Sequence, residues 1–248
     1  MNYARLWGVR CDSSPSKYAM GGSIPPAAGT PSAQRLFGYG AGNVLEQVGD
    51  GTCFFGSSRA SAVALGSLLT NVQSKFFGRT ISGLKNHMKE FLLTADKKSP
   101  SLLDHKFDMR VGCPPEAPDD DDTAKMASIR QVLQDDHGET AEEHAASMMA
   151  QSYYGGVAEM MVIAAATDLV VQSGTVSKVD GSSVFQPLLQ VSPPTVDLAS
   201  YPEAMILRLS FNGVDHFDGW QATSRAERGE DPDFLRRFLK ASTSDLER

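Results

Sequence analysis

The chain is short of cysteine, of basic charge and of long apolar runs, and each shortage removes a class of protein. Its three cysteines, Cys11, Cys53 and Cys113, are odd in number and far apart among 248 residues. That pattern supports neither a disulfide framework nor a paired metal motif, and it points to a reducing compartment such as the cytosol. No stretch approaches the roughly 18 consecutive apolar residues that suggest a membrane span. Lys and Arg number 23 against 30 Asp and Glu, so the net charge of −7 argues against a non-specific nucleic-acid binder, which needs a basic footprint. Two arginines within residues 1–10 have no apolar segment behind them, so no secretory signal peptide is expected. What remains is a chain of ordinary apolar content, long enough for one substantial core.

Residues 1–42 read as an arm, because 12–42 are rich in Gly, Pro, Ser and Ala and include Pro25-Pro26 and the series Gly38, Gly40, Gly42. A folded domain is expected over 43–248. Apolar spacing predicts a helix over 53–69 with Ala60, Val63, Ala64 and Leu68 on its buried face. Another is expected over 81–94, burying Ile81, Leu84, Met88, Phe91 and Leu92. Between 99 and 123 the periodicity fails, and Pro114, Pro115, Pro118 and the run Asp119 to Asp122 read as a solvated polar loop, acidic over 116–122. Helices are expected over 123–135, with Met126, Ile129 and Leu133 buried, over 139–151, and over 157–167, which runs directly into a strand at 169–171. Strands at 184–189 and 204–210, a Gly-containing turn at 211–215, a returning strand at 216–222 and a helix at 233–241 complete an α+β layout.

Two segments carry the chemistry. Val48-Gly49-Asp50-Gly51-Thr52-Cys53 is a glycine-rich turn that delivers Cys53 to the start of an apolar helix. There the helix dipole and unpaired N–H groups favour a thiolate and can face an oxyanion. Gly51 lets the backbone pass close to a reacting carbonyl, and Asp50 can brace the turn by accepting backbone hydrogen bonds. The same segment would also suit a small hydrophobic cysteine packed at a helix start. Far downstream, His216 and Asp218 stand two apart on an expected strand, so both face one side while Phe217 faces the core. A thiol nucleophile needs an imidazole and a group to orient it. His87, His105, His137 and His144 lie in helical or loop segments without a strand-borne carboxylate two residues on.

Three separated blocks resemble the ovarian-tumour (OTU) family of deubiquitinases. Asp50-Gly51-Thr52-Cys53-Phe54-Phe55 is similar to that family's Asp-Gly-Asn-Cys-Leu-Phe box. Tyr153-Tyr154-Gly155-Gly156-Val157-Ala158-Glu159 resembles its aromatic-Gly-Gly-x-x-Glu helix start, and His216-Phe217-Asp218 its closing His-aromatic-Asp element. The resemblance implies a papain-like fold: a small central β-sheet packed between helical layers, with the nucleophile at a helix N-terminus. It implies a Cys53, His216, Asp218 triad, with Asp50 shaping the oxyanion loop. The activity implied is hydrolysis at the C-terminus of ubiquitin or a ubiquitin-like protein, with ubiquitin or polyubiquitin as partner and no metal or cofactor required. Thr52, Phe54 and Gly56 depart from the family pattern, which suggests a remote member of the kind found in bacterial effectors or viruses and acting in a host cytosol. A papain-like protease cutting a polyprotein or peptide, a catalytically silent ubiquitin-binding module and a purely structural protein are the alternatives.

Overall fold

Thr70, Thr80, Ser128 and Thr140 each accept a hydrogen bond from the N–H three residues on, and each opens a helix. In the computed structural model, which describes residues 40–111, 124–179 and 182–222, the helices are α1 (Cys53–Leu65), α2 (Asn71–Phe77), α3 (Ile81–Lys98), α4 (Pro100–Asp104), α5 (Ile129–Val132), α6 (Ala141–Ser147) and α7 (Val157–Thr167). The strands are β1 (Gly40–Leu45), β2 (Phe107–Val111), β3 (Ala124–Ala127), β4 (Val171–Val179), β5 (Ser182–Ser192), β6 (Leu207–Phe211) and β7 (Phe217–Ala222). Residues 1–39, the whole of the acidic stretch 116–122 and the helix expected at 233–241 lie outside the described residues. No helix among the described residues is long and apolar enough to cross a membrane.

Helices and sheet together make the α+β fold, but the sheet is not small. Its seven strands run in the order β1-β7-β6-β4-β5-β2-β3, antiparallel except for the β4–β6 pair. β1 pairs with β5 as well as with β7, so β1, β7, β6, β4 and β5 close a circuit of pairings. β1 starts at Gly40, so 40–42 belong to the sheet rather than to the arm. A Cβ at Gly42 would lie 2.4 Å from the Trp220 ring, so β1 can approach β7 here only without a side chain. The β4–β5 hairpin shifts register between Ser173 and Gly174, and a Cβ at Gly174 would stand 2.2 Å from the Gln186 carbonyl.

Several expectations need correction. The helix expected over 123–135 is β3 followed by α5 and a π-helical turn at Leu133–His137, with Met126 exposed and Ile129 and Leu133 buried. Ser128 forces the break by capping α5 through Gln131 N–H at 3.2 Å. The strand expected at 169–171 begins at Val171 and runs on through polar residues to Val179, because its neighbours bury Gln172 and Ser173. The buried face of α1 is also different. Val63 is 74% exposed, while Ser57, Ser58, Ser61 and Ala62 are buried. A Cβ at Gly219 would fall 2.9 Å from the Ala60 Cβ, so only a small-residue face fits where α1 presses on β7. Ser61 fastens that contact: its hydroxyl donates to the Arg208 carbonyl at 2.7 Å and accepts from Trp220 N–H at 2.9 Å. The alanine- and methionine-rich α7 is buried on several sides, and one main core joins it to α1, α3 and the sheet.

Candidate active site

Asp50 and Gly51 set the turn that precedes α1. Gly51 has φ +83°, a conformation glycine reaches without steric cost. Asp50 Oδ1 accepts from the Thr52 hydroxyl at 2.6 Å and from Thr52 N–H at 2.9 Å. Those bonds, the hydroxyl's first, hold the Asp50 carboxyl below the ordinary carboxylate range. The Thr52 hydroxyl is thereby engaged and makes no cap bond to α1. Cys53 is the first residue of α1 and is 3% exposed. At such a position the backbone N–H groups have no acceptor within the helix.

His216 is delivered by the turn between β6 and β7. Asn212 Oδ1 accepts from the N–H groups of Val214 at 2.9 Å and of Asp215 and His216 at 3.0 Å. Asn212 N–H returns a bond to the His216 carbonyl at 3.0 Å, and Gly213 takes φ +86°. The imidazole Nε2 lies 3.0 Å from Asp218 Oδ1, and the same oxygen accepts from Gln47 N–H at 2.8 Å. Phe217 points the other way, 3% exposed, with its ring centroid 5.3 Å from Phe54 and 4.8 Å from Phe211.

The two segments meet. A Cβ at Gly49 would lie 3.6 Å from His216 Nδ1, and Cys53 Sγ is 3.9 Å from the Asp215 carbonyl. The turn that leads to Cys53 and the turn that carries His216 and Asp218 thus lie side by side, whereas the Asp50 carboxylate is bonded to Thr52 within its own turn. A third loop, 148–156, closes on them. A Cβ at Gly51 would meet the Ser152 backbone at 3.0 Å, and one at Gly155 would meet the Phe54 ring at 2.5 Å. Lys85, 4% exposed, donates to the Ala150 carbonyl at 2.7 Å and lies 4.7 Å over the Phe55 ring. Burial pushes its ammonium pKa down, against the pull of Asp50 and Glu159.

Behind that loop stands a buried polar cluster. His144 Nε2 is 2.7 Å from Glu159 Oε1 and Nδ1 is 2.8 Å from Glu139 Oε2. The Tyr153 hydroxyl donates to Glu159 Oε1 at 2.8 Å, and Gly156 N–H donates to Glu159 Oε2 at 2.6 Å. Burial works against both charges. The bonds prevail, with Glu159 raising the His144 pKa and His144 lowering that of Glu159. His137, Glu139 and His144 are also grouped closely enough to hold a metal ion.

Sequence reasoning overlooked Gln47, Asn212 and the joining of Glu139 and His144 to Glu159 in this cluster. The Asn212-Gly213 pair is a turn signal that could have revealed the first support of His216. The Gln47 bond comes from a backbone N–H, for which no side-chain signal exists.

No family model matches the chain, and no curated protein matches it. Among solved structures, the chain is similar to the viral OTU domain protease from Qalyub virus, with 19% identity over 74% of this chain and 85% of that one and a TM-score of 0.40. It is similar to an OTU deubiquitinase from Wolbachia pipientis wMel bound to ubiquitin (18% identity, 73% of this chain and 96% of that one, TM-score 0.41). It is also similar to the Hazara virus OTU bound to ubiquitin (15% identity, 74% and 83% coverage, TM-score 0.40).

Proposed function

We propose that this chain is a cysteine-type ubiquitin hydrolase with Cys53 as nucleophile, His216 as its acid and base, and Asp218 as the group that orients His216. One observation carries the reading. The imidazole is held through Nε2 by Asp218 while Nδ1 faces the Gly49 turn that leads to Cys53. A ring held in that way keeps a hydrogen on Nε2 for the carboxylate and leaves Nδ1 to exchange a proton with the thiol.

The cycle follows from the positions. The Cys53 thiolate attacks the terminal glycyl carbonyl, and the oxyanion is met by N–H groups at the start of α1, which Thr52 leaves uncapped. His216 gives its Nδ1 proton to the departing lysine amine as the thioester forms. Water then adds to the thioester, His216 takes its proton, and the thiolate leaves. Asp50 serves the turn rather than the imidazole. Val48, Tyr154 and Val214 are exposed apolar side chains on the three loops that approach one another around Cys53 and His216, suited to an extended peptide tail. The ubiquitin preference itself rests on the three sequence blocks, and the thiolate chemistry suits a reducing cytosol.

The test is a ubiquitin carrying an electrophile at its C-terminus, run beside an electrophilic peptide of the same last residues. Adduct formation at Cys53 with the ubiquitin probe alone is the expected result. Equal labelling by the peptide would favour a general papain-like protease, and tight binding without an adduct a silent ubiquitin-binding module. An adduct at Cys11 or Cys113 would overturn the nucleophile.

A further inference from the structure

The cluster behind the 148–156 loop has features that a buried ion pair alone does not need. His137, Glu139 and His144 each offer one donor atom, all within 4.8 Å of one another. We propose that these three residues bind a divalent first-row transition metal of the zinc class, at a site separate from Cys53 and independent of its chemistry.

The donor set selects the ion. Two imidazole nitrogens and one carboxylate oxygen suit Zn²⁺, Co²⁺ or Ni²⁺, whereas Mg²⁺ and Ca²⁺ prefer oxygen alone. The ring arrangement fits as well. The His137 and His144 centroids are 4.9 Å apart with planes at 62°. Two imidazoles sharing a tetrahedral ion at ordinary Zn–N distances place their centroids about 5 Å apart. The local chain provides this by a π-helical turn over Leu133–His137, closed by Gly138 at φ +67°, which brings His137 back beside α6.

The outer partners are those of a metal-ligating histidine. Nε2 of His144 is committed to Glu159, which is 1% exposed and fixed in turn by Gly156 N–H and the Tyr153 hydroxyl. That leaves Nδ1, the nitrogen facing Glu139. Glu139 is oriented by the Ser147 hydroxyl, which donates to its other oxygen at 2.9 Å. Carboxylate–histidine–metal relays of this kind fix the ring and raise ligand basicity. Charge points the same way, since Glu139 and Glu159 present two negative charges to one histidine and a divalent ion balances both. On binding, the metal takes the Nδ1 lone pair, any proton there passes to solvent, and water occupies the fourth position.

The experiment uses the full chain carrying Cys53→Ala, so that the candidate thiolate cannot itself capture metal. Metal-free protein is titrated with Co²⁺ and then with Zn²⁺, following visible absorption and the thermal midpoint. Expected are one equivalent of four-coordinate Co²⁺ absorption, its displacement by Zn²⁺, and a midpoint that rises with free Zn²⁺. His137→Ala and Glu139→Gln, added singly, should each weaken binding by roughly tenfold or more, with circular dichroism confirming the fold. Absence of a saturable Co²⁺ band, or unchanged affinity in both variants, overturns the site. Should a variant fail to fold, X-ray absorption at the zinc edge of the Cys53→Ala protein decides. Two imidazoles with oxygen support the site, and sulfur or a single imidazole overturns it.

Discussion

His144 and His216 both present Nε2 to a carboxylate, at 2.7 Å from Glu159 and at 3.0 Å from Asp218. Everything around those two bonds differs. His144 is fully buried, and its second nitrogen is held by Glu139. The His216 side chain is 23% exposed, and its second nitrogen faces a glycine turn instead of a carboxylate. A histidine with both nitrogens fixed by carboxylates holds structure together, whereas one fixed through a single nitrogen keeps the other for proton exchange. The difference also appears in the supports. His144 is braced by the side chains of Glu139, Glu159 and Tyr153, while His216 is positioned mainly through its backbone by Asn212.

Alanine at each histidine breaks the comparison most directly. His216→Ala should lower turnover by about 10²–10⁴-fold with the thermal midpoint almost unchanged. His144→Ala should leave Glu159 buried with only the Tyr153 hydroxyl and Gly156 N–H for its charge, and cost roughly 3–5 kcal/mol of stability. Turnover assays and thermal unfolding on both variants check this. A stable, inactive His144→Ala beside an active His216→Ala would invert the assignment.

Asp218→Asn asks whether the carboxylate charge matters beyond its geometry. The amide oxygen can still accept from Gln47 N–H and His216, so the fold should hold while turnover falls on the order of a hundredfold. Wild-type turnover in this variant would reduce Asp218 to a brace for the backbone at Gln47.

Gly155→Ala probes the loop that links the two regions. The new Cβ would stand 2.5–3.0 Å from Phe54 side-chain atoms, so either the ring or the loop must move. The expected cost is about 1–3 kcal/mol in stability, with a fall in turnover smaller than that of Asp218→Asn. An unchanged unfolding midpoint would show that the loop is free to shift.

The candidate site was legible because it lies in short segments with local signals. Gly51 and Gly213 mark the two turns, and the two-residue spacing of His216 and Asp218 puts them on one side of the chain. The His144 cluster draws on α6, α7 and two loops, and no local period joins Glu139 to Glu159. The fold divides in the same way. Amphipathic α3 and the continuous apolar run of α7 could be read directly, whereas β4 crosses Gln172, Ser173 and Gly174, whose burial is decided by partners distant in sequence. β2 and β3 flank proline-rich sequence that masks their alternation, and the small-residue face of α1 is explained only by how closely β7 approaches it.

The smallest expected effect is that of Asp50→Asn, and it separates the roles of Asp50 and Asp218. Asp50 bonds to Thr52 and Asp218 to the imidazole, so removing the Asp50 charge should leave the His216 tautomer alone. The asparagine oxygen can still accept from Thr52, which keeps the turn and restricts the loss to a few-fold in turnover, roughly one hydrogen bond's difference in strength. The pH dependence follows from the lowered Asp50 pKa. A carboxylate with a depressed folded-state pKa contributes fully above its ordinary value of 3.8, and the contribution is lost as pH falls through the folded pKa. At neutral pH the charge is therefore fully in place, and the comparison of the two asparagine variants there is free of titration at Asp50. Steady-state turnover of both at neutral pH is the measurement. A larger loss for Asp50→Asn than for Asp218→Asn would transfer the orienting role to Asp50, whatever the distances to the imidazole.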